Sequence, residues 1–279
     1  MKKIVLTGAG GRLGSYLREP LTQLADELVS SDKLEDIGKL YPGETYQQAD
    51  LANLDEMTAL LAGADMVVHF GAIGDEAPFE AIFQSNVYGA YTVWEAARRN
   101  GLRRVVYASS IHAVGMHPRN ETLTTDLRHK PDTFYGLAKC FAEDLASLYW
   151  DKFQMESVCM RIFSCAQVTD ARALGSWLSY DDLIQLVTRA IDTPTTGFTV
   201  IYGISNNDRS PVDNSGAAFL GYRPKDNAEQ FAKDVLASED VQDLNDKRHL
   251  YHGGAFAAIT PGESGLAQMD VVADAKIIE

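Results

Sequence analysis

The chain has 279 residues, 46% of them hydrophobic, which suits one large domain or one domain carrying a smaller lobe. Its formal charge is −14, with the acidic residues dispersed, and such a surface repels phosphate backbones and argues against a nucleic-acid partner. No segment approaches the roughly 18 consecutive apolar residues of a membrane span, and dispersed acidity leaves a salt-tolerant source open.

The apolar run of the opening MKKIVLTGAGG stops after Leu6, too short for a signal-peptide core, so a cytoplasmic protein is expected. Ile4-Val5-Leu6 reads as a first buried strand, and TGAGGRLG (Thr7 to Gly14) then opens a helix over LGSYLREPLTQLA. Gly8, Gly11 and Gly14 let the backbone turn tightly and approach a pyrophosphate at the helix N-terminus, with Arg12 and Leu13 in the same turn. After a second strand at Glu27-Leu28-Val29 comes Asp32, 24 positions past Gly8, where a carboxylate would hold a ribose diol. A helix cap or turn residue is the alternative for Asp32. As a ribose ligand it would repel a 2′-phosphate and favour NAD over NADP, a preference that Lys33 weakens. Asp50 and Leu51, in QADLAN after a third strand, stand where an adenine ring would lie, although Asp50 could equally cap the next helix.

NLDEMTALLAG reads as that helix and Met66 to Phe70 as a buried strand. In PFEAIFQSNVYGAYTVWEAARRNG, Phe79, Ile82, Phe83, Val87, Tyr91 and Trp94 recur at helical spacing and Gly101 closes the segment. That aromatic stripe reads as core or subunit interface. Arg98-Arg99 and Arg103-Arg104 read as a solvated helix end and the start of the next strand. This strand, around Val105 to Tyr107, runs into Ser109, Ser110, Ile111 and His112, which by themselves suggest a turn. In YGLAK, within a helix over 133–151, Tyr135 and Lys139 share one face. A free tyrosine, with a pKa of about 10, is a poor base at neutral pH. A nearby ammonium and a positive nicotinamide ring would favour phenolate and lower that value.

Glu156 to Ile162 reads as a strand, YDDLIQLVTRAID as a helix, FTVIYGI as a late strand and NAEQFAKDVL as a helix. Such alternation implies an α/β fold: a Rossmann-type doubly wound parallel sheet with a small C-terminal substrate-binding lobe. Residues 1–165 form the expected nucleotide-binding core. Residues 166–279 supply the remaining core elements, the lobe and a polar arm from Thr260. The three cysteines, Cys140, Cys159 and Cys165, form no CxxC pair and read as reduced buried thiols. His69 and His117 read as structural, and no metal-ligand spacing is present, so no metal is expected.

Together, Gly8, Gly11, Gly14, Ser110, Tyr135 and Lys139 resemble the TGxxGxxG, serine and YxxxK pattern of the extended short-chain dehydrogenase/reductase family. Asn86 is similar to a family asparagine lining the site, and the likeness covers about residues 1–165. A narrower resemblance, running to about Phe256, is to the uronate dehydrogenases. It rests on SSIHAVG, YGLAKCFAEDLA, RIFSC, SWLSYDDLIQLV, YGISNND, DNS and GYRPKDNAEQF. It implies NAD-dependent oxidation of a hexuronic acid at the anomeric carbon to an aldarolactone. Tyr135 would be the base, Ser110 the hydrogen-bond partner of the reacting oxygen, and Lys139 the group holding Tyr135 acidic. His112 and Ser164 would contact the sugar, and Arg172 would grip the carboxylate in bidentate fashion. Phe256 would reach a neighbouring subunit's site, so a homo-oligomer is implied. The family has Asn where this chain has Ile111 and Ser where it has Gly74, which removes polar contacts.

Two other functions fit parts of the pattern. A nucleotide-sugar epimerase or dehydratase of the same family would need a larger lobe than the residues after Asn206 provide. A non-catalytic dinucleotide sensor commonly loses the Tyr/Lys pair, which this chain keeps.

Overall fold

The structure, a computed structural model, describes residues 2–237 and 245–264. From the N-terminus, β1 (Lys3–Thr7), α1 (Arg12–Thr22), β2 (Glu27–Ser31), β3 (Glu44–Tyr46), α2 (Leu54–Leu60) and β4 (Met66–His69) build the first half. After α3 (Phe79–Ile82) and α4 (Gly89–Arg99) come β5 (Arg104–Ser110), β6 (Leu123–Thr124), α5 (Phe134–Phe153) and β7 (Glu156–Ile162). α6 (Ala173–Ser176), α7 (Tyr180–Asp192), β8 (Phe198–Gly203), β9 (Val212–Asp213) and α8 (Ala232–Ala237) follow.

Seven strands form one parallel sheet in the order β3-β2-β1-β4-β5-β7-β8. The order reverses direction between β1 and β4, and a crevice opens there beyond the carboxyl ends of the strands. Side chains alternate across each strand, so the sheet divides its apolar residues between two cores. Ile4, Leu6 and Val106 pack with Leu17 of α1 and Leu186 of α7, whereas Val5, Val67 and Val105 pack with Met57, Trp94 and Ala146 of α2, α4 and α5. β8 lies beyond residue 165 yet completes the sheet beside β7. Among the described residues no helix is long and apolar enough to cross a membrane.

Three local expectations change. The segment expected as one helix over 78–101 is broken: α3 and α4 flank a π-helical turn, Phe83–Tyr88. The aromatic stripe therefore divides. Trp94 is fully buried against Tyr107, while Phe79, Phe83 and Tyr88 are exposed. NAEQFAKDVL forms a 3-10 turn, Ala228–Phe231, before α8. The polar tail is described only as far as Ser264, and 265–279 lie outside the described residues.

Arg98 and Arg99 do lie at a solvated helix end, paired with Glu95. Arg104 instead is fully buried, with Glu156 2.5 Å from Nη2 and the carbonyls of Ala190 and Ile191 on Nη1. Sheet register places Arg104 beside Glu156, so the pair joins β5 to β7 at the strands' starts. Glu156→Ala would leave a buried cation without its anion, a loss of about 3–5 kcal/mol. A urea midpoint equal to that of the parent protein would show that the pair carries none of the stability.

Candidate active site

The first turn past β1 is held by contacts that leave no room for side chains. Gly8 has φ +73°, and a Cβ there would lie 2.5 Å from the Gly71 nitrogen; one on Gly14 would lie 2.0 Å from the Gly8 carbonyl oxygen. Helix α1 begins at Gly11 with no side-chain cap and no acidic residue in its first turn, where Arg12 and Leu13 lie. Its N–H groups and positive dipole end are thus free to meet an anion. Asp32, just past β2, accepts the Gly10 N–H at 3.0 Å and the Leu34 N–H at 3.4 Å, so it braces the glycine turn. Leu51 packs against Gly71 and Gly89, forming an apolar wall on the far side. Asp50 accepts the Ala52 N–H, whereas the cap of α2 is Asn53. This glycine cradle, with its open helix end and one carboxylate, fits a dinucleotide.

Asn86 is buried in the π turn. Its side chain pairs with both backbone groups of Ile73, at 2.9 and 3.0 Å, and so fixes the segment that follows β4. The π turn breaks the helical path, and the amide faces that segment rather than the surface.

The strand β5 ends in the two serines, which do different work. Ser109 Oγ donates to the buried Glu143, while Ser110 Oγ accepts the His112 N–H at 3.2 Å and favours the ionised form of the Tyr135 phenol. Tyr135 starts α5, whose cap Thr133 accepts the Gly136 N–H. A Cβ on Gly136 would meet the His112 carbonyl oxygen at 2.3 Å, so glycine lets the helix start touch the serine turn. One turn on, Lys139 is buried; its Nζ donates to the Ala108 carbonyl at 2.7 Å and lies 5.2 Å from the Tyr135 ring centre.

In the protein without a nicotinamide ring beside it, the phenol is harder to ionise than a free tyrosine. Burial pushes Tyr135 up to about 12, opposed by the Ser110 hydrogen bond and by Arg12, with Asp132 and Asp75 adding to the rise. Lys139 is brought down to about 7 by burial, against the attraction of Glu143. Taking charge out of water outweighs the pairing that the YxxxK spacing suggests.

His112 places Nδ1 2.7 Å from Asp132 and stacks on Phe256, with ring centres 4.0 Å apart; the Tyr135 ring lies 5.8 Å away. With Nδ1–H given to a carboxylate, Nε2 is the accepting nitrogen. Phe256 is buried in its own chain's site, against His112. It can bend in because Gly254 takes φ +61° against Arg172; a Cβ there would be 2.5 Å from Nε. Arg172 Nη2 donates to the His252 carbonyl at 2.5 Å, which brings its guanidinium beside the same turn. Ser164 follows β7, two residues past the partner of Ser110, and is bridged to Trp177. Ile111 turns instead into a core cluster with Val114, Phe163 and Tyr202, so only Gly74, around which a Cβ would meet nothing, leaves space open.

Two residues escaped the sequence. Asp132 holds His112, accepts from Thr133, and has Gly115 and Gly253 pressed against it, where a Cβ would lie 1.9 or 2.1 Å from its Oδ2. No spacing announces it. Glu143, buried between Arg161, His129 and Ser109, was legible in principle, since it continues the Tyr135, Lys139 face by four residues.

A glycine cradle at the switch point of a parallel sheet, leading to a Ser-Tyr-Lys set, defines an oxidoreductase of the extended short-chain dehydrogenase type. The model of the "NAD dependent epimerase/dehydratase family" matches residues 4–167. Over 260 residues the chain is 41% identical to a uronate dehydrogenase of Pseudomonas syringae pv. tomato, covering 93% of this chain and 94% of that one. Among solved structures, an NAD-complexed variant of uronate dehydrogenase from Agrobacterium tumefaciens matches with a TM-score of 0.89 at 40% identity, over 93% and 98% of the two chains. Glucuronic acid dehydrogenase from Chromohalobacter salexigens matches with a TM-score of 0.90, also at 40%, over 93% and 97%. The chain belongs to the NAD dependent epimerase/dehydratase family and, within it, to the uronate dehydrogenases.

The cofactor of the family is NAD, and the glycine contacts make a direct test possible. Gly14→Ala would force a Cβ into the Gly8 carbonyl. Overpacking of this kind costs about 1–3 kcal/mol, so NAD affinity should fall about 5- to 150-fold. Calorimetric titration giving the parent dissociation constant would remove the cradle from the cofactor site.

Proposed function

We propose that this protein oxidises a hexuronic acid, glucuronate or galacturonate, at its anomeric carbon to an aldarolactone, using NAD. The observation that carries this reading is Arg172, a guanidinium held beside the turn that closes over Tyr135 and His112. A carboxylate on the substrate needs such a planar cation. The relatives named above support the same substrate class.

NAD, when bound, supplies the acceptor for the hydride that leaves the carbinol carbon. Tyr135 takes the hydroxyl proton, and Ser110, which favours the phenolate, orients the same oxygen. With its pKa near 12 Tyr135 is mostly protonated at neutral pH and can take the proton only as phenolate, a form that Ser110 and the charge of Arg12 favour. Lys139, fixed by the Ala108 carbonyl, lies against the tyrosine ring and can hold the nicotinamide ribose. His112, its tautomer set by Asp132, offers Nε2 to a sugar hydroxyl, and Ser164, just past β7, is assigned a second sugar contact. The Phe256 ring covers the imidazole and keeps water off that face. Gly74 leaves room where the relatives' serine would reach the sugar.

The functional unit is a homo-oligomer in this reading. Phe79, Phe83, Leu137, Phe141 and Leu148 expose an apolar face along α3 and α5 that a second copy would cover. Free buried thiols at Cys140, Cys159 and Cys165 suit a cytoplasmic setting.

Protein incubated with NAD and either uronate should generate NADH, read by absorbance. No NADH with either, together with epimerisation of a nucleotide sugar, would overturn the proposal. In wild type the oxidation rate should climb with pH above neutrality as the phenol ionises. Tyr135→Phe should lose about 10²- to 10⁴-fold in kcat and keep its NAD affinity; retained turnover removes Tyr135 from its role. Arg172→Ala gives up a charge-assisted pair of about 1.5–3 kcal/mol, so KM for uronates should rise about 10- to 150-fold. An unchanged KM would place the carboxylate elsewhere.

A further inference from the structure

Glu76 is almost fully buried, on the segment that joins β4 to α3, and three backbone donors from two distant parts of the chain converge on it. Its Oε2 accepts the Tyr135 N–H at 2.7 Å, and its Oε1 accepts the Phe134 N–H at 3.1 Å and the Gly262 N–H at 2.7 Å. Thr133 already caps α5 through the Gly136 N–H. The carboxylate therefore adds the first two N–H groups of the helix, which a cap leaves unmet, and it does so at the positive dipole end.

The position of Glu76 in the chain gives these bonds their consequence. Five residues earlier, Gly71 touches Gly8 of the nucleotide cradle, and Ile73 is clamped by Asn86. One short segment thus abuts the cofactor turn at one end and grips the backbone of Tyr135 at the other. On the outside, Gly262, at φ +96°, lies against Phe134 and Pro78, and Ser264 bonds Asp75. The C-terminal segment from Thr260 to Ser264 therefore lies across the carboxylate.

We propose that Glu76 is a positioning residue of the dehydrogenase site: it sets Tyr135 relative to the nucleotide cradle, and the C-terminal segment at Gly262 locks it in place. The role rests on the assignment of Tyr135 as the base. It extends that assignment to the groups that aim the phenol and to the segment 260–264, which the sequence offered only as the start of a polar arm.

Glu76→Gln keeps the shape but turns an NH₂ toward backbone donors, so at least one of the three bonds is lost. Displacing a catalytic group by a fraction of an ångström to about 1 Å costs up to about a hundredfold in rate. The full-length variant should therefore lose about 10- to 100-fold in kcat with galacturonate or glucuronate, with an NAD dissociation constant within about threefold of wild type. Glu76→Asp, which keeps the carboxylate one methylene shorter, should recover part of the rate. Gly262→Ala, strained at that φ, should move kcat the same way by a smaller factor. Amide hydrogen exchange of Phe134 and Tyr135 should speed up in Glu76→Gln whatever the substrate. If wild type turns over neither uronate, the functional reading falls while the exchange measurement still decides the alignment. Unchanged kcat with unchanged exchange at Tyr135, or a loss of NAD affinity in step with kcat, would overturn the role of Glu76. Wild-type kinetics in Gly262→Ala would overturn that of the C-terminal segment.

Discussion

Lys139 is a cation taken out of water, and much of the site is arranged around that difficulty. Its ammonium donates a hydrogen bond to the carbonyl of Ala108 and faces the rings of Tyr107 and Tyr135 at 4.8 and 5.2 Å. Desolvation alone would discharge it at neutral pH. Opposing this, Glu143 sits one helical turn further on, itself buried. Glu143 stays ionised because Arg161, His129 and Ser109 surround its carboxylate, which holds its pKa below the usual carboxylate range despite burial. Burial, aided by the same lysine, pushes His69 down to about 3, so that imidazole is neutral, bonds Thr7 and joins the aromatic stack.

This explains why α5 is the centre of the molecule. One of its faces presents Tyr135, Lys139 and Glu143 in succession to the ends of β5 and β7. Its start is pinned by Thr133 and by the Glu76 carboxylate. Its remaining turns pack Ala142 and Ala146 against the core that Trp94 fills. The serine turn can approach only because Gly136 has no side chain, and the C-terminal turn only because Gly115 and Gly253 leave space for Asp132. Close backbone approach, rather than any single strong bond, assembles the pocket.

Much of this was legible from residue order. The glycine turn, Asp32, the serine pair, and the Tyr135 and Lys139 spacing are local patterns whose geometry follows from strand and helix periods. For that reason β7 and α7 occupy the expected residues. Where the period misled, a longer-range contact had won. The helix over 78–101 yields a π turn as Asn86 bonds Ile73. Ile111, which stands where the family has Asn, packs into the core.

The sequence by itself determined the architecture and the candidate site's local motifs, because hydrophobic period, glycine spacing and i,i+4 geometry act within a few residues. Only the tertiary structure decided how those side chains are tuned and held. Burial moves Tyr135 to about 12 and Lys139 to about 7, values that depend on what is packed around them. Asp132, Glu76 and the inward Phe256 join residues between 20 and 186 positions apart, and such pairings have no local pattern to betray them.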